Sequence, residues 1–354
     1  MTEIPKFPRY RLATNYAYDL LVKLNVQSFP CNLIDLAKSV GVKVKKYSVI
    51  AKKSNCTIDD VCEQFRSKRG YIYLNKHGKH FIAYNDCMAK DIIQFTLAHE
   101  LGHYFLNHLI DFEQTKLTYL SEDEISDEHQ VLENEASCFA RNFIAPFPIV
   151  KKIDKVTNLD VQRLFGIGFK AAQTRLSLLE IDTFNYIPSV QKRLFFDKVI
   201  SRIESSATCD RCKSIFHHKN AIYCPYCKST DIWNLGFQIT FYREFGGFVD
   251  MKYSFIETDD NLNPLACPRC RSEEIKPDNV YCPYCGTFLH NVCLGEEPFG
   301  PTMSLKERVE HCSCNDEFLN GGYRYCPDCG CKTSYFEQGL LPDWEKEYNE
   351  YPFS

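Results

Sequence analysis

The chain has 354 residues, enough for two or three domains, and its 44% hydrophobic and 25% charged content is typical of a soluble globular protein. No segment approaches the roughly 20 apolar residues that span a bilayer, and residues 1–10 lack the apolar run of a signal peptide, so we expect a cytoplasmic protein without a membrane partner. Residues 1–204 carry 28 Lys and Arg against 24 Asp and Glu, a net charge of +4, whereas residues 205–354 carry 14 against 22, a net of −8. The acidic half disfavours nucleic-acid binding, because phosphate contacts need a basic surface.

The first 86 residues predict a small mixed domain. Helical spacing of apolar residues and strand-like alternation predict two helices and three strands, at 14–25, 33–40, 42–47, 70–74 and 80–84. A long helix then follows over 87–109, with Asn85 and Asp86 as candidate N-caps. The sequence therefore predicts a small sheet that precedes one long helix.

That helix contains His-Glu-Leu-Gly-His at residues 99–103. In a helix, His99 and His103 stand one turn apart on one face, close enough for two imidazoles to share a zinc ion. Glu100 stands where a zinc peptidase has the general base that takes a proton from water. Broad apolar surface along the helix predicts that the histidines lie at the edge of a core, with Gly102 allowing close backbone approach.

A second long helix is predicted over 128–145, ended by Pro146 and Pro148. Two histidines leave a catalytic zinc ion one protein ligand short of three, and glutamate is a common third ligand. Glu135 and Glu133 are the candidates in this helix, and Glu133 is the one that more readily fits a solvated surface charge. The pattern favours Glu135 and leaves Glu133 open.

The runs FTLAHELGHYFLNH (residues 95–108) and ENEASCFARNFIAP (residues 133–146) resemble the ImmA/IrrE family of metallopeptidases. The similarity extends to LLVKLNVQSFPCNLIDLAKSVGVKV (residues 20–44) and to LDVQRLFGIGFKAAQTRLSLLE (residues 159–180), and so covers about residues 10–182. It departs from the family at Ser137-Cys138, where the family often has Asn or Asp after the alanine.

This resemblance implies an α+β, gluzincin-like zinc peptidase domain with a helix-turn-helix-like extension. It implies that His99, His103 and Glu135 bind a catalytic zinc ion and that Glu100 is the catalytic carboxylate. Many members of the family are thought to cleave helix-turn-helix repressors, so the implied partner is such a repressor. The segment 159–180 could bind DNA, but the resemblance favours packing against the peptidase.

Cysteines crowd into the second half, where fourteen of the nineteen lie between Cys209 and Cys331. A pattern of two Cys-x-x-Cys pairs separated by eleven residues occurs twice, which predicts two closed structural zinc sites with four thiolates each. These two sets are Cys209, Cys212, Cys224, Cys227 and Cys267, Cys270, Cys282, Cys285.

A third, less regular set predicts a further structural zinc ion. It comprises Cys312, Cys314, Cys326 and Cys329, with nearby Cys331 as a possible substitute for one of them. Cys293 is interpreted as a small buried residue. The predicted cofactors are thus one catalytic and two or three structural zinc ions.

Two aromatic segments accompany the cysteines. Alternating residues at 235–245 and 248–257 around Gly246-Gly247 predict a β-hairpin. Its aromatic residues are expected to cover the zinc ribbons rather than to stack on bases, because small zinc modules have little core of their own. The acidic, aromatic tail at 336–354 is expected to dock on the body or on a partner.

The sequence therefore predicts a peptidase domain (1–150), a helical extension and linker (151–204), a zinc-ribbon array (205–335) and a tail (336–354). Its predicted function is that of a zinc endopeptidase whose ribbons recruit a protein substrate. One alternative is a regulator that keeps the peptidase fold but acts by binding DNA or protein. Another is a toxin or defence protein whose protease is triggered through the ribbons.

Overall fold

The computed structural model describes residues 3–112, 116–118, 127–239, 251–295, 314 and 318–350. The chain divides into two compact units, residues 1–201 and 202–354, and the architecture is mixed α+β as predicted. Within the described ranges, no helix combines the length and apolar character that a membrane span requires.

The first unit begins with short helices and one strand. They are α1 (Tyr10–Lys23), α2 (Leu33–Ser39), β1 (Lys43–Lys46), α3 (Tyr47–Ser54) and α4 (Ile58–Phe65). Thr57 starts α4 with a capping box, since its side chain accepts from the Asp60 amide while the Asp60 carboxylate accepts from the Thr57 amide. Strand β1 is followed at once by α3, a helix that the sequence pattern did not predict.

A four-stranded sheet lies beside these helices, in the order β1-β3-β2-β4. Strands β2 (Gly70–Leu74) and β3 (His80–Tyr84) have the predicted bounds and pair antiparallel, while β1 runs parallel to β3 and β4 (Lys116–Thr118) runs antiparallel to β2. Ile72 and Ile82 face each other in the ladder and are completely buried. The sheet thus buries apolar side chains at its centre.

The long helix α5 (Lys90–Phe105) follows the sheet, and α6 (His108–Asp111) comes directly after it. The predicted caps are wrong: Ala89 is the N-cap, whereas Asp86 accepts from the amide and hydroxyl of Ser48, and Asn85 bonds backbone atoms nearby. Every residue from Thr96 to His103 is buried, so this part of α5 is a central helix surrounded on all sides. The histidines therefore lie inside the core rather than at its edge.

Helix α7 (Asp127–Ile144) packs against α5 at unusually short range. A Cβ atom placed on Gly102 would lie 3.0 Å from the backbone oxygen of Ala136 and 3.2 Å from a ring carbon of Phe139. Only a glycine allows the two backbones to approach this closely without displacing one of them. The predicted role of Gly102 is confirmed.

The helical extension belongs to the same compact unit. Its helices are α8 (Phe147–Val150), α9 (Asn158–Phe165), α10 (Phe169–Ser177), α11 (Leu179–Asn185) and α12 (Val190–Glu204). The buried Asp182 of α11 accepts hydrogen bonds of 2.9 and 2.8 Å from Arg141 of α7 and lies 2.9 Å from Arg175 of α10. This ion cluster holds the helix-turn-helix-like segment onto α7.

The second unit has little regular structure. It contains the antiparallel sheet β6-β5-β7, formed by β5 (Ser206–Cys209), β6 (Ile215–His217) and β7 (Ile232–Asn234), and two helices, α13 (Ser334–Glu337) and α14 (Trp344–Glu350). Cysteines make up much of its core, together with Tyr253, Tyr323 and Trp344. Burial of Trp344 shows that the tail packs on its own unit.

The predicted hairpin around Gly246-Gly247 lies mostly outside the described residues, which resume at Met251. Its described ends are not strands, because Gly236–Gln238 form a 3-10 turn and residues 251–257 are irregular. Tyr253 does cover the ribbons: it is buried and stacks on Tyr226 with ring centroids 5.0 Å apart. Phe255, in contrast, is exposed.

The substitution Gly102→Ala tests the close contact between α5 and α7. Alanine favours an isolated helix by about 1 kcal/mol over glycine, but overpacking against Ala136 costs about 1–3 kcal/mol, so we expect a net loss of stability. Hydrogen exchange should become faster in both helices, while the exposed-site control Gln173→Ala on α10 leaves it unchanged. Slower exchange in both helices after Gly102→Ala would contradict the contact.

Candidate metal centres

The two motif histidines meet on the inner face of α5. His99 and His103 are buried, and their Nε2 atoms lie 3.1 Å apart. Helical spacing of four residues places them one turn apart, as predicted. Two ring nitrogens facing each other at this distance form one half of a metal-binding site.

Glu133 of α7 completes this cluster. One of its oxygens lies 2.9 Å from Nε2 of His99 and the other 3.4 Å from Nε2 of His103. Tetrahedral zinc with bonds of about 2.0–2.1 Å separates its donor atoms by about 3.3 Å. The three separations of 2.9, 3.1 and 3.4 Å fit such an ion.

The protonation states also suit a metal ion. Burial lowers the pKa of His103 to about 4. Burial of Glu133 opposes ionisation, but the adjacent His103 and His99 outweigh it and hold the Glu133 pKa below its ordinary value. Near neutral pH the cluster therefore offers neutral imidazole from His103 and a carboxylate from Glu133, the forms that metal binding requires.

Glu135, which the sequence favoured as third ligand, is not part of this cluster and gives way to Glu133. Two residues correspond to about 200° around a helix axis, so side chains at 133 and 135 leave α7 in nearly opposite directions. Glu135 is bound instead by Arg9 and His108, at 2.8 and 3.1 Å from one of its oxygens. The two candidates could not be separated by residue type; the phase of α7 relative to α5 separates them.

Glu100 is buried without a neutralising partner. Among the described residues, no donor makes a well-aligned hydrogen bond to either carboxylate oxygen and no cation pairs with it. Burial, reinforced by the nearby charge of Glu133, raises the pKa of Glu100 well above its ordinary value, and the backbone of Ile72 offsets this only in part. A buried carboxyl with raised proton affinity beside a metal-binding cluster can accept a proton and return it.

Ser137 is a site residue that sequence reasoning passed over as a departure from the family pattern. Its hydroxyl lies 3.3 Å from Nδ1 of His99, one turn of α7 after Glu133. The spacing of four between Glu133 and Ser137 was the available signal, because both face α5. Tyr104, the residue after His103, is turned away and donates to the carbonyl of Val40.

A cleft of about 570 Å³ lies next to His99 within the first unit. Ser137 and Phe95 contribute to its wall, and the ring centroid of Phe95 lies 6.2 Å from that of His99. Helices α5, α7 and α10 supply most of the remaining wall, which is largely apolar. The cleft therefore lies beside two residues that border His99, although no side chain of the cluster itself lines it.

The first two cysteine sets come together as predicted. Sulfur separations of 3.5 Å link Cys209 to Cys227 and Cys212 to Cys224, and the second set shows 3.5 and 3.6 Å. These values are far longer than a disulfide bond of about 2.05 Å and near the roughly 3.8 Å expected for tetrahedral zinc with Zn–S bonds of about 2.3 Å. Both sets fit closed zinc sites.

A shared turn geometry shapes these ligands. In each Cys-x-x-Cys pair the first cysteine accepts from the amide four residues later and donates to the carbonyl five residues later. The residue four positions on has a positive φ in every case. The pairs begin at Cys209, Cys224, Cys267, Cys282 and Cys326. Five copies of one turn show a repeated zinc-ribbon design.

The third set differs from its prediction. Cys293, expected to be an ordinary buried residue, lies 3.4 Å from Cys329, and Cys314 lies 3.6 Å from Cys326. These four form the third cluster, while the predicted ligand Cys312 lies outside the described residues. Cys331 is not part of the cluster and serves through its backbone carbonyl, which accepts from Cys326. Cys293 is distant in sequence, so spacing could not identify it.

Glu133→Gln tests the third ligand of the histidine site. At saturating zinc we expect this variant to bind one ion fewer than wild type, because two imidazoles alone hold zinc weakly. Glu135→Gln should reach the wild-type count. Native mass spectrometry measures both, and loss of the ion from Glu135→Gln alone would restore the sequence-based choice.

Cys293→Ser tests the third cysteine cluster. Removal of one thiolate should cost the ion at that cluster, so the variant should hold one zinc ion fewer than wild type. Cys312→Ser and Cys331→Ser are the matched controls and should keep the full count. A loss caused by Cys312→Ser and not by Cys293→Ser would contradict the cluster.

Comparison with known proteins agrees with this geometry. A search among curated proteins finds no match to the chain. Among protein-family models, the one for Peptidase M78, described as the IrrE N-terminal-like domain, matches residues 57–177. That stretch contains the whole histidine site, with both α5 and α7, and the sequence-based resemblance is confirmed over it. Residues 57–177 are therefore similar to the IrrE N-terminal-like domain of the Peptidase M78 family, and cysteine clusters that resemble those of zinc ribbons follow them.

Proposed function

We propose that this chain is a zinc-dependent endopeptidase. The observation that carries the proposal is a buried carboxylate, Glu100, with no cationic partner among the described residues, next to a three-donor cluster of His99, His103 and Glu133. A purely structural site needs no such carboxylate, and burying one is costly. The family match to a peptidase domain supports the same reaction class.

A zinc ion bound by the three donors supplies Lewis acidity, which activates water and polarises the carbonyl of a scissile peptide bond. Glu100 takes the proton that the attacking water loses and passes it to the leaving amine. Its raised pKa suits this task, since a carboxylate with increased proton affinity is a stronger base. Burial in the core keeps bulk water from competing for that proton.

The remaining residues align the site and receive the substrate. The Ser137 hydroxyl lies 3.3 Å from Nδ1 of His99 and can accept from it when Nε2 of that ring binds the metal ion. The apolar wall of the adjacent cleft, with Ile92, Phe95 and Ile144, suits apolar side chains of an extended peptide. Asp91 and Lys170 add polar groups to this wall.

The proposed substrate is a helix-turn-helix transcriptional repressor of a mobile element, phage or stress regulon. Support for this choice comes from the resemblance to ImmA/IrrE peptidases. A small repressor encoded beside the gene of this chain is the first substrate to try.

The second unit is proposed to recruit the protein substrate or another protein partner. Its zinc clusters use four thiolates each and leave no open position for catalysis. Apolar side chains stand exposed on this unit, among them Trp233, Phe255 and Leu265. Together with a net charge of −8 over residues 205–354, they favour protein over nucleic acid as the bound partner.

Glu100→Gln tests the proposed chemistry. The amide keeps the size of the side chain but cannot accept the proton, so we expect cleavage of the repressor to fall by about 10²–10⁴-fold. The zinc content and thermal unfolding should match wild type. Glu180→Gln, at an exposed position of α11, is the matched control and should cleave normally.

Cleavage by folded, zinc-loaded Glu100→Gln at the wild-type rate would rule out the proposed mechanism. If the cellular function survives Glu100→Gln but is lost when residues 205–354 are removed, the protein acts by binding rather than by proteolysis.

A further inference from the structure

A second buried chain of polar groups leads away from His103, on the side opposite the metal-binding cluster. Nδ1 of His103 lies 2.9 Å from Nδ1 of His108, and Nε2 of His108 lies 3.1 Å from a carboxylate oxygen of Glu135. All three side chains are buried. His108 follows the end of α5 and Asn107, whose left-handed backbone turns the chain back toward the motif helix.

Arg9 holds the far end of this chain. Its amide and Nε donate to one oxygen of Glu135 at 2.7 and 2.9 Å, and a guanidinium nitrogen donates to the other oxygen at 2.8 Å. Both oxygens of Glu135 thus face donors of Arg9, and the guanidinium forms a salt bridge with the carboxylate. Glu135 is therefore a fixed carboxylate, which accepts hydrogen bonds and donates none.

Because Glu135 can only accept, it determines the direction of the hydrogen bonds from His108 and from His103. Because Glu135 only accepts, Nε2 of His108 must carry a hydrogen. The Nδ1 atoms of His103 and His108 lie 2.9 Å apart, so one donates and the other accepts, and a neutral His108 with its hydrogen on Nε2 has a lone pair on Nδ1. Nδ1 of His103 must donate to that lone pair, which leaves Nε2 of His103 with its own lone pair facing His99 and Glu133.

We propose that His108, Glu135 and Arg9 act as positioning residues that hold His103 in the one tautomer able to bind the metal ion. The inference rests on the proposed zinc site. It gives Glu135 a role that differs from the ligand role predicted from sequence. It also makes the segment before α1 part of the site, because Arg9 immediately precedes that helix.

Glu135→Gln is the decisive substitution because it reverses the direction of the hydrogen bonds between residue 135, His108 and His103. In wild type, the amide and Nε of Arg9 both donate to the same oxygen of Glu135. In Glu135→Gln the amide oxygen would take that position, because only an oxygen can accept from these donors. The amide nitrogen would then face His108. Nε2 of His108 would then have to accept, Nδ1 would carry the hydrogen, and His103 would be driven to hold its hydrogen on Nε2. That tautomer cannot bind zinc through Nε2 without losing a proton.

His108→Asn should preserve the zinc affinity of the histidine site, whereas His108→Ala should not. The asparagine oxygen can take the place of Nδ1 and accept from His103, whereas alanine leaves the Nδ1 hydrogen of His103 without an acceptor. Arg9→Lys should lower the zinc affinity of the histidine site less than Glu135→Gln does, because the positive charge and the backbone amide at position 9 remain. Arg11→Lys is the matched control, because Arg11 lies two residues after Arg9, in the first turn of α1, and is exposed.

Two measurements on the full-length chain test the proposal. Competition with a chromophoric chelator gives the zinc affinity of the histidine site, which Glu135→Gln and His108→Ala should weaken about 10–100-fold. His108→Asn and Arg11→Lys should stay within a few-fold of wild type. Nitrogen-15 NMR of histidine-labelled, zinc-free protein reports the tautomer: His103 should carry its hydrogen on Nδ1 in wild type and on Nε2 in Glu135→Gln.

The outcomes separate this inference from the proposed function. If wild type binds zinc at the histidine site and Glu135→Gln keeps both the affinity and the His103 tautomer, the positioning chain is wrong while the zinc site stands. If His108→Asn loses as much affinity as His108→Ala, the hydrogen-bond direction is wrong. If wild type binds no zinc at this site, both proposals fail. Thermal unfolding and an unchanged zinc count in the cysteine clusters confirm that each variant is folded.

Discussion

The contact between α5 and α7 at Gly102 and Ala136 is the constraint on which the histidine site depends. Because no side chain separates the two backbones there, α7 lies close enough for Glu133 to reach both histidines of α5. The same contact brings Ser137 to the outer nitrogen of His99. A wider spacing of the two helices would leave His99 and His103 on a helix face without a carboxylate to complete the metal site.

Helix α7 contacts α5 through one face and α1 through the other. Glu133 and Ser137 face α5 and the metal-binding cluster, while Glu135 and Asn142 face the start of the chain and α1. Asn142 accepts from the buried Tyr18 hydroxyl at 2.6 Å. Contacts on both faces of α7 therefore hold the site in place. Its ligands lie on helices that are packed in the core, so the ligand side chains have little conformational freedom before a metal ion binds.

The chain contains two physically different kinds of metal site. The cysteine clusters are symmetric, use four thiolates and replace a hydrophobic core that the second unit is too small to build, so metal binding there stabilises the fold. The histidine cluster has three donors of mixed type and adjoins a cleft. A tetrahedral zinc ion held by three protein donors keeps one position open for a reacting group, so chemistry is expected at the histidine site.

Local patterns predicted the two long helices of the histidine site and the central strands, and long-range geometry decided much of the rest. Strands β2 and β3 have the predicted bounds, and the two long helices lie within a few residues of theirs, because alternation and helical periodicity are local signals. Asn85 and Asp86 are suitable cap residues, yet both are engaged elsewhere and α5 begins later. The N-cap of α5 was predicted wrongly because the capping propensity of a residue does not show which other groups compete for its side chain.

The differences between the predicted ligands and the side chains that the structure brings together have a similar cause. The choice between Glu133 and Glu135 depends on the rotation of α7 about its axis, which the apolar pattern of that helix does not fix to within two residues. Cys293 joins the third cluster from more than thirty residues before Cys326, so no spacing rule could find it. The regular cysteine sets were predictable because each pair closes its own turn.

The most direct test is an anomalous-scattering map of zinc-loaded crystals, recorded above and below the zinc edge. The account predicts one peak bounded by Nε2 of His99, Nε2 of His103 and the carboxylate of Glu133, with Nδ1 of His103 within hydrogen-bonding distance of His108. Three further peaks should lie in the cysteine clusters. A histidine-site peak that is absent, or that is ligated by Glu135 in place of Glu133, would contradict the account.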